Sequence, residues 1–179
     1  MNKRGFTLIE TMVAIAILTV AIVAPISLAA KSLASAYYAR DDITASFLAQ
    51  EAIESVRQIR DHNVLENAYG NPVDLLNGIP VGQDFLIDTR TNQTWTTCPA
   101  APLKTDGAFY GYGADACNQT EAGWTSTHFS RIVRADFIAG TTNEVHVTTR
   151  VSWASGTFAG RSFTISENLY RWVDDGSGN

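Results

Sequence analysis

An apolar run that begins after Lys3-Arg4-Gly5 and lasts to about Ala30 constrains this chain more than any other feature. Glu10 is the only charged residue between Gly5 and Lys31. The Leu, Ile, Val and Phe side chains of the run gain roughly 4–7 kcal/mol on insertion into a bilayer, as an upper figure. A buried carboxylate costs roughly 2.5–3.5 kcal/mol against that gain. The run can therefore enter a membrane despite Glu10, and the carboxylate needs an explanation of its own.

Two general classes of segment fit this run. A secretory signal peptide has a basic start, and Ser27-Leu28-Ala29 offers a small-residue cleavage site, but its apolar region spans only about 7–15 residues and carries no acid. A plain transmembrane anchor fits the length of about 20 residues better, yet it gives no role to Glu10 or to Gly5. Both alternatives remain open on the apolar run alone.

The stretch Gly5-Phe6-Thr7-Leu8-Ile9-Glu10, after a short basic leader, resembles the cleavage and methylation site of the type IV pilin superfamily, which includes the pseudopilins of type II secretion. The resemblance implies that a prepilin peptidase in the membrane cuts between Gly5 and Phe6 and methylates the new amine on Phe6. It also implies that Glu10, the fifth residue of the mature chain, is needed for assembly. One departure is visible, because Pro25 lies two residues earlier than the helix-bending proline of many family members.

Simple electrostatics supports a role for Glu10. Cleavage after Gly5 creates an ammonium group at Phe6 in apolar surroundings. A cation and an anion that are each costly in hydrocarbon become tolerable as a pair. Within one helix Phe6 and Glu10 are four residues apart and can approach each other, whereas the family arrangement pairs Glu10 with the amine of a neighbouring subunit. Our working hypothesis is the second pairing, in which Glu10 sets axial register in a filament.

The charge distribution predicts an orientation and the classes of partner. With Lys3 and Arg4 ahead of the apolar run, the positive-inside rule leaves the N-terminus in the cytoplasm and the rest outside, although Lys31 and Arg40 weaken that signal. The net charge of −5 argues against bulk binding to nucleic acid. Beyond the peptidase, the resemblance implies other pilins or pseudopilins and an inner-membrane assembly platform as partners, with membrane lipid before assembly.

Cys98 and Cys117 are the two cysteines of the chain. Outside the cytoplasm such a pair favours a disulfide, which stabilises a domain by roughly 3 kcal/mol in the chain-entropy model. Two free buried thiols are the alternative. Two cysteines with no nearby histidine are too few ligands for a zinc site, so we expect no metal site. The sequence also indicates no cofactor.

The helix is predicted to continue beyond the membrane. Residues 31–60 contain no Gly or Pro, and good helix formers are frequent among them. We predict one helix from Phe6 to about Arg60, roughly 80 Å long at 1.5 Å per residue. The 3.6-residue period places six apolar residues on one face, which should pack against the soluble domain: Ala45, Leu48, Ala49, Ala52, Val56 and Ile59.

Ile43 and Phe47 break this helical pattern, because they project on the same side as Glu51 and Glu54. Scattered apolar residues on a surface are common and need no function. The resemblance offers the alternative that both side chains contact the helix of an adjacent subunit. Ile43 and Phe47 are therefore candidate subunit contacts, and both interpretations remain open.

The last third of the chain predicts an antiparallel meander. Apolar and polar residues alternate from Val145 to Trp153 and, more loosely, from Phe163 to Leu169, which is typical of strands. The segment Ala154–Gly160 would join these two strands as a hairpin loop. Residues 129–138 predict the strand before them. Packed on the amphipathic half of the helix, this meander gives an α+β fold.

The middle of the chain is less patterned. Asp84–Asp88 predicts a first strand, with Trp95 in its continuation or in a pairing partner. Gly70-Asn71-Pro72 should end any helix that remains, and residues 73–82 should form a loop. Residues 91–127 are rich in Thr, Gly, Ala and Asn, so we expect a variable surface excursion there.

Residues with catalytic potential are scattered. His62, His128 and His146 are far apart in sequence, and the chain shows no phosphate loop, nucleophile elbow or two-histidine zinc motif. The sequence therefore does not predict an enzyme. The segment Gly107–Gly113 places aromatic residues among glycines. We expect a small local core inside the disulfide loop there, with an exposed binding surface as the alternative.

These observations define four predicted regions: a leader at 1–5, a membrane-spanning and filament-core helix half at 6–30, an amphipathic half at 31–63, and a globular β domain at 64–179 that contains the 98–117 loop. The strand that ends at Trp153 and the helical stretch Leu48–Glu54 resemble minor pilins and pseudopilins of the PilV/GspI type. The resemblance implies a minor subunit that initiates or caps a filament. A major subunit and an anchored binding domain that never assembles are the alternatives.

Overall fold

The computed structural model describes residues 5, 7–98, 101–118, 121–154 and 160–170. The chain divides into two compact units, Met1–Asp41 and Asp42–Asn179. Within the described residues, one helix, α1 (Leu8–Ala68), is followed by seven strands. This is the predicted α+β architecture of a long apolar N-terminal helix and a small antiparallel sheet.

Helix α1 extends two turns beyond the predicted end near Arg60, so that expectation is wrong. The reason is tertiary, because the Asn63 side chain is buried and donates to the carbonyls of Leu75 (3.1 Å) and Asn77 (2.9 Å). The predicted stop at Gly70 is confirmed. Gly70 has a φ of 87°, and the amide of Asn71 donates to Glu66 O (3.0 Å) in a Schellman motif.

The seven strands form one antiparallel sheet around a long central strand. The strands are β1 (Asp84–Asp88), β2 (Gln93–Trp95), β3 (Pro102–Thr105), β4 (Tyr110–Gly111), β5 (Thr125–Phe137), β6 (Glu144–Trp153) and β7 (Arg161–Tyr170). The central strand, β5, pairs with β6 along one edge, and its other edge pairs with β3 near its start and with β1 near its end. Strand β7 pairs with β6, β2 with β1, and β4 with β3.

The predicted meander is confirmed as β5-β6-β7, with Trp95 on a strand that pairs with β1. In β6 the alternation from Val145 to Trp153 corresponds to alternating burial, and the apolar side chains face inward. Of the predicted hairpin loop, Ala154 and Gly160 are described, and residues 155–159 lie outside the described residues. Strands β6 and β7 are nevertheless paired next to it, from Trp153 opposite Arg161.

The core forms between the predicted face of α1 and the inner face of the sheet. Leu48 clusters with Phe129, Val151 and Trp153, and a second cluster forms about two turns later around Val56. The predicted helical face is confirmed, since five of its six members are at most 3% exposed and Ile59 is half-buried. The loop at 73–82 also contributes to this core through Leu75, Leu76 and Ile79.

The expected surface excursion at 91–127 is wrong. This segment contains β2, β3 and β4 and the start of β5, and it buries Leu103, Tyr112 and Ala116 completely. The three strands are only two to four residues long, which is too short for a recognisable alternation. In β3 a fully buried lysine, Lys104, also hides the pattern.

Candidate processing and assembly site

At the N-terminal end, the structure describes Gly5 and the chain from Thr7 onward, whereas Phe6 lies outside the described residues. Gly5 is exposed, and among the described residues outside its immediate chain neighbours no heavy atom lies within 4 Å of the position a Cβ would take. Thr7 caps α1, because its Oγ1 accepts a hydrogen bond from the Glu10 amide (3.3 Å). Thr7 and Glu10 have the Thr-x-x-Glu spacing of a capping box.

The donor in this cap is the backbone amide of Glu10, so the cap uses Thr7 and the position of Glu10 rather than the Glu10 carboxylate. The sequence analysis missed this cap, although the Thr-x-x-Glu spacing was the signal. A carboxylate in the first turn also interacts favourably with the positive end of the helix dipole. Cleavage between Gly5 and Phe6 would leave Phe6 and Thr7 ahead of the helix. The new amine would then lie within one helical turn of the Glu10 carboxylate in sequence.

The apolar half of α1 is uncovered. Every residue from Leu8 to Leu33 is exposed in the single chain. Among the described residues, α1 is the one helix long and apolar enough to cross a membrane. Pro25 lies inside it and leaves the carbonyl of Ala21 without its usual amide donor.

The two candidate subunit contacts are both exposed on the second unit. Ile43 and Phe47 expose 57% and 65% of their surfaces. Phe47 lines a groove together with Phe109 and Tyr110, which belong to the aromatic segment at 107–113. The structure therefore brings together two features that the sequence singled out separately.

The aromatic segment divides between core and surface. Tyr112 is fully buried, and its phenol donates to the carbonyl of Arg131 (3.1 Å). Burial raises the pKa of Tyr112 to about 12, with the nearby positive charge of Arg131 opposing this rise and the negative charge of Asp88 adding to it. Phe109 is exposed. The predicted local core is thus wrong, because Tyr112 is buried in the main core with Leu48 and Phe129, and Phe109 is the exposed last residue of the turn joining β3 to β4.

The structure contains the predicted disulfide between Cys98 and Cys117. Lys104 lies within the loop that the disulfide closes, and its buried ammonium donates to the carbonyls of Asp115 (3.0 Å), inside the loop, and Asn118 (2.8 Å), directly after it. Lys104 also forms an ion pair with Glu121 at 3.1 Å. The pKa of Glu121 is lowered, first by a hydrogen bond from the Ala114 amide and then by Lys104. The disulfide and the lysine therefore organise the same loop.

The histidines do not come together into a site. His62 approaches Glu66, His146 contacts Asn168, and His128 stacks against Phe129. Within the described ranges, no group of three or more His, Cys, Asp or Glu residues is arranged to hold a metal ion.

A helix of this length and composition, together with the α+β fold, is consistent with a membrane-anchored protein. Residues 1–24 match a family model described as the prokaryotic N-terminal methylation motif. The chain thus carries a type IV pilin-like prepilin motif, as the sequence predicted, and such a motif indicates a structural subunit rather than an enzyme. No curated protein and no solved structure matches the chain.

Proposed function

We propose that this protein is a minor type IV pilin or pseudopilin, a processed subunit that helps to initiate or cap a pilus or secretion filament. The observation that carries the proposal is the methylation motif at residues 1–24, joined to a helix in which every residue from Leu8 to Leu33 is exposed. A monomer in water would not leave such a surface uncovered. Lipid covers it before assembly in this proposal, and the helices of neighbouring subunits cover it afterwards.

Processing comes first in this proposal. A prepilin peptidase cuts between Gly5 and Phe6 and methylates the amine of Phe6. The exposed Gly5 supports this step, because a peptidase needs access to the backbone on both sides of the bond. Glu10 then neutralises the Phe6 amine of a neighbouring subunit as the helix leaves the membrane.

The orientation follows from the charges. Lys3 and Arg4 keep the leader in the cytoplasm, so the second unit is extracytoplasmic before assembly and lies on the filament afterwards. The disulfide fits a location outside the cytoplasm. In this arrangement residues 6–30 form the filament core, 31–63 the amphipathic half of the helix and 64–179 the globular domain.

The minor role rests on looser patterns than the motif does. A strand that ends at Trp153, a hairpin to a last strand, and the helical stretch Leu48–Glu54 support the PilV/GspI type. Purified filaments distinguish a minor subunit from a major one. We expect quantitative mass spectrometry to find far fewer copies of this chain than of the main subunit, and equal or greater abundance would favour the major role.

N-terminal mass spectrometry of the native chain tests the proposal directly. The expected mature protein begins at an N-methylated Phe6. A Gly5→Val variant should keep its leader and stay out of filaments, whereas Asn2→Ala, a control in the same leader, should be processed normally. A native chain that retains residues 1–5, or that is trimmed near Ala29, would contradict the proposal and favour the anchored or secreted alternative.

A further inference from the structure

A groove of about 680 Å³ lies between α1 and the turn that joins β3 to β4. Both walls belong to the second unit. Its apolar surface comes from both elements, and its rim on the helix side is acidic; the residues that define it are Phe47, Leu48, Glu51, Glu54, Phe109 and Tyr110. We call this feature the aromatic groove.

The turn presents Phe109 in a fixed position. The carboxylate of Asp106 accepts hydrogen bonds from the amides of Phe109 (2.8 Å) and Ala108 (2.9 Å). Thr105 closes the turn by donating to the carbonyl of Phe109 (2.8 Å). Next to it, Tyr110 packs edge-on against Phe129 in the core. Phe109 is nevertheless 60% exposed, so a rigid turn displays an aromatic ring that packs against little of this chain.

The helix side of the groove carries excess negative charge. The side chains of Glu51 and Glu54 are each about half exposed, and no Lys, Arg or His lines the groove within the described residues. Glu54 contacts Arg57, but the same guanidinium also binds Glu167 at 2.5 Å and is therefore shared between two carboxylates. Glu51 lies 3.4 Å from Arg131. The rim thus remains attractive to an added cation.

We infer that the aromatic groove docks a segment of a neighbouring filament subunit that presents a Lys or Arg beside an apolar side chain. This inference rests on the proposed function and names the partner chemistry of that contact. An apolar side chain would fill the space between Phe47 and Phe109, and the cation would lie at Glu51 and Glu54. Aromatic residues dominate binding energy at protein interfaces, and complementary charge fixes register.

Photo-crosslinking in the full-length chain tests the inference. A photoreactive residue replaces Phe109 in cells that assemble the filament, and mass spectrometry identifies the captured peptide. The expected peptide contains Lys or Arg within a few residues of an apolar side chain and comes from a filament subunit, a second copy of this chain included. The same residue placed at Phe137, an exposed aromatic outside the groove, should not capture this peptide.

Charge variants test whether the acidic rim of the groove contributes to binding. With the photoreactive residue at Phe47, the double variant Glu51→Gln and Glu54→Gln should lower the yield of that peptide at least tenfold. Asp61→Asn is the matched control, because Asp61 is an exposed carboxylate on the same helix that also pairs with an adjacent arginine. Tryptophan fluorescence with an unchanged thermal midpoint would verify that each variant is folded.

The outcomes separate the inference from the proposed function. If the chain is processed and present in filaments but captures only lipid, glycan, an acidic segment or nothing, the inference alone is wrong. The inference would also be wrong if Asp61→Asn lowered the yield of the crosslinked peptide as much as the double variant of Glu51 and Glu54 did. If the chain is absent from filaments, the proposed function and the inference fail together.

Discussion

The guanidinium of Arg131, on the central strand β5, donates to the main-chain oxygen of Leu48 on α1 at 3.0 Å. Its other terminal nitrogen donates to the carbonyl of Ile87 on β1 at 2.7 Å. The side chain is completely buried, and its contact with the Glu51 carboxylate is longer, at 3.4 Å. One buried cation therefore connects the helix to two strands of the sheet through backbone oxygens.

Replacing Arg131 should weaken the second unit substantially. Arg131→Met removes both backbone contacts and leaves a buried carbonyl on β1 without this donor, which we expect to lower the free energy of unfolding by about 2–4 kcal/mol. Chemical unfolding of the detergent-solubilised chain, followed by tryptophan fluorescence, measures the change. Arg150→Met is the control, because Arg150 is exposed on the adjacent strand β6 and should change stability by less than about 0.5 kcal/mol. Equal losses in the two variants would contradict this role.

The disulfide and Lys104 should stabilise the domain cooperatively. Reduction of Cys98–Cys117 should lower the free energy of unfolding by roughly 3 kcal/mol, and Lys104→Met in the oxidised chain by about 2–4 kcal/mol. The reduced chain no longer fixes the loop that supplies the carbonyls of Asp115 and Asn118. The two losses should therefore be non-additive by about 1 kcal/mol or more.

A double-mutant cycle with Cys98→Ser and Cys117→Ser in place of reduction measures this coupling. Arg134→Met is a suitable control, since Arg134 forms exposed ion pairs outside the disulfide loop. Its effect should be the same with and without the disulfide. Strict additivity for Lys104 would show that lysine and disulfide act independently.

The parts of the fold that could be predicted are those in which apolar residues recur at alternate positions over a long strand. In β6, Val147 and Val151 are buried, and polar residues lie between them. In β3, by contrast, Lys104 takes a buried position and its charge is satisfied by groups 11 to 17 residues later in the chain. Local sequence does not predict a partner so far along the chain, so β3 could not be predicted.

The candidate site divides in the same way. The motif at residues 1–24 is contiguous, so it could be recognised from the sequence, and Gly5, Phe6 and Glu10 could be proposed as its processing and assembly residues. The aromatic groove is not contiguous, because Phe47 and Phe109 are 62 residues apart and meet only after the sheet has packed on the helix. The sequence indicated each aromatic residue separately and could not show that they share one surface.

Tyr112 should make the fold sensitive to alkaline pH. Burial raises its pKa to about 12, so the neutral phenol contributes stability that is fully present below about pH 10 and is lost as the pH rises through about 12. Absorbance at 295 nm should show its ionisation together with unfolding. Tyr112→Phe should remove that step and cost about 1 kcal/mol for the lost hydrogen bond to Arg131. Ionisation of Tyr112 near pH 10 without unfolding would contradict the burial argument.

Asp106 should make the turn beside the groove sensitive to acid. Hydrogen bonds from the Phe109 and Ala108 amides lower the pKa of Asp106 in the folded chain below its unfolded value of about 3.9. The ionised carboxylate therefore stabilises the turn at a pH above the unfolded pKa, and this stabilisation is lost as the pH falls through the lower pKa of the folded chain. NMR of the two amides should therefore show a transition below about pH 4, which Asp106→Asn should abolish because its amide oxygen still accepts but does not titrate.

Glu10 has two candidate roles, helix capping and charge pairing between subunits, and substitutions can separate them. Glu10→Gln keeps a residue that suits the capping box but removes the charge. Breaking a buried ion pair by removing one partner costs about 3–5 kcal/mol, so incorporation into filaments should fall more than a hundredfold in both Glu10→Gln and Glu10→Ala. Cleavage at Gly5 should persist in both variants, because insertion of the apolar run becomes easier without the charge.

The measurement is the ratio of chain in sheared filaments to processed chain in the membrane, with Glu10→Asp as the variant that retains the charge. If pairing dominates, Asp should restore part of the incorporation and Gln none. If capping dominates, Gln should assemble normally and Ala alone should fail. Normal assembly of the Gln variant would therefore exclude the electrostatic role of Glu10. The proposed processing at Gly5 and Phe6 would stand, because in this proposal the peptidase acts there before the chain meets a neighbouring subunit.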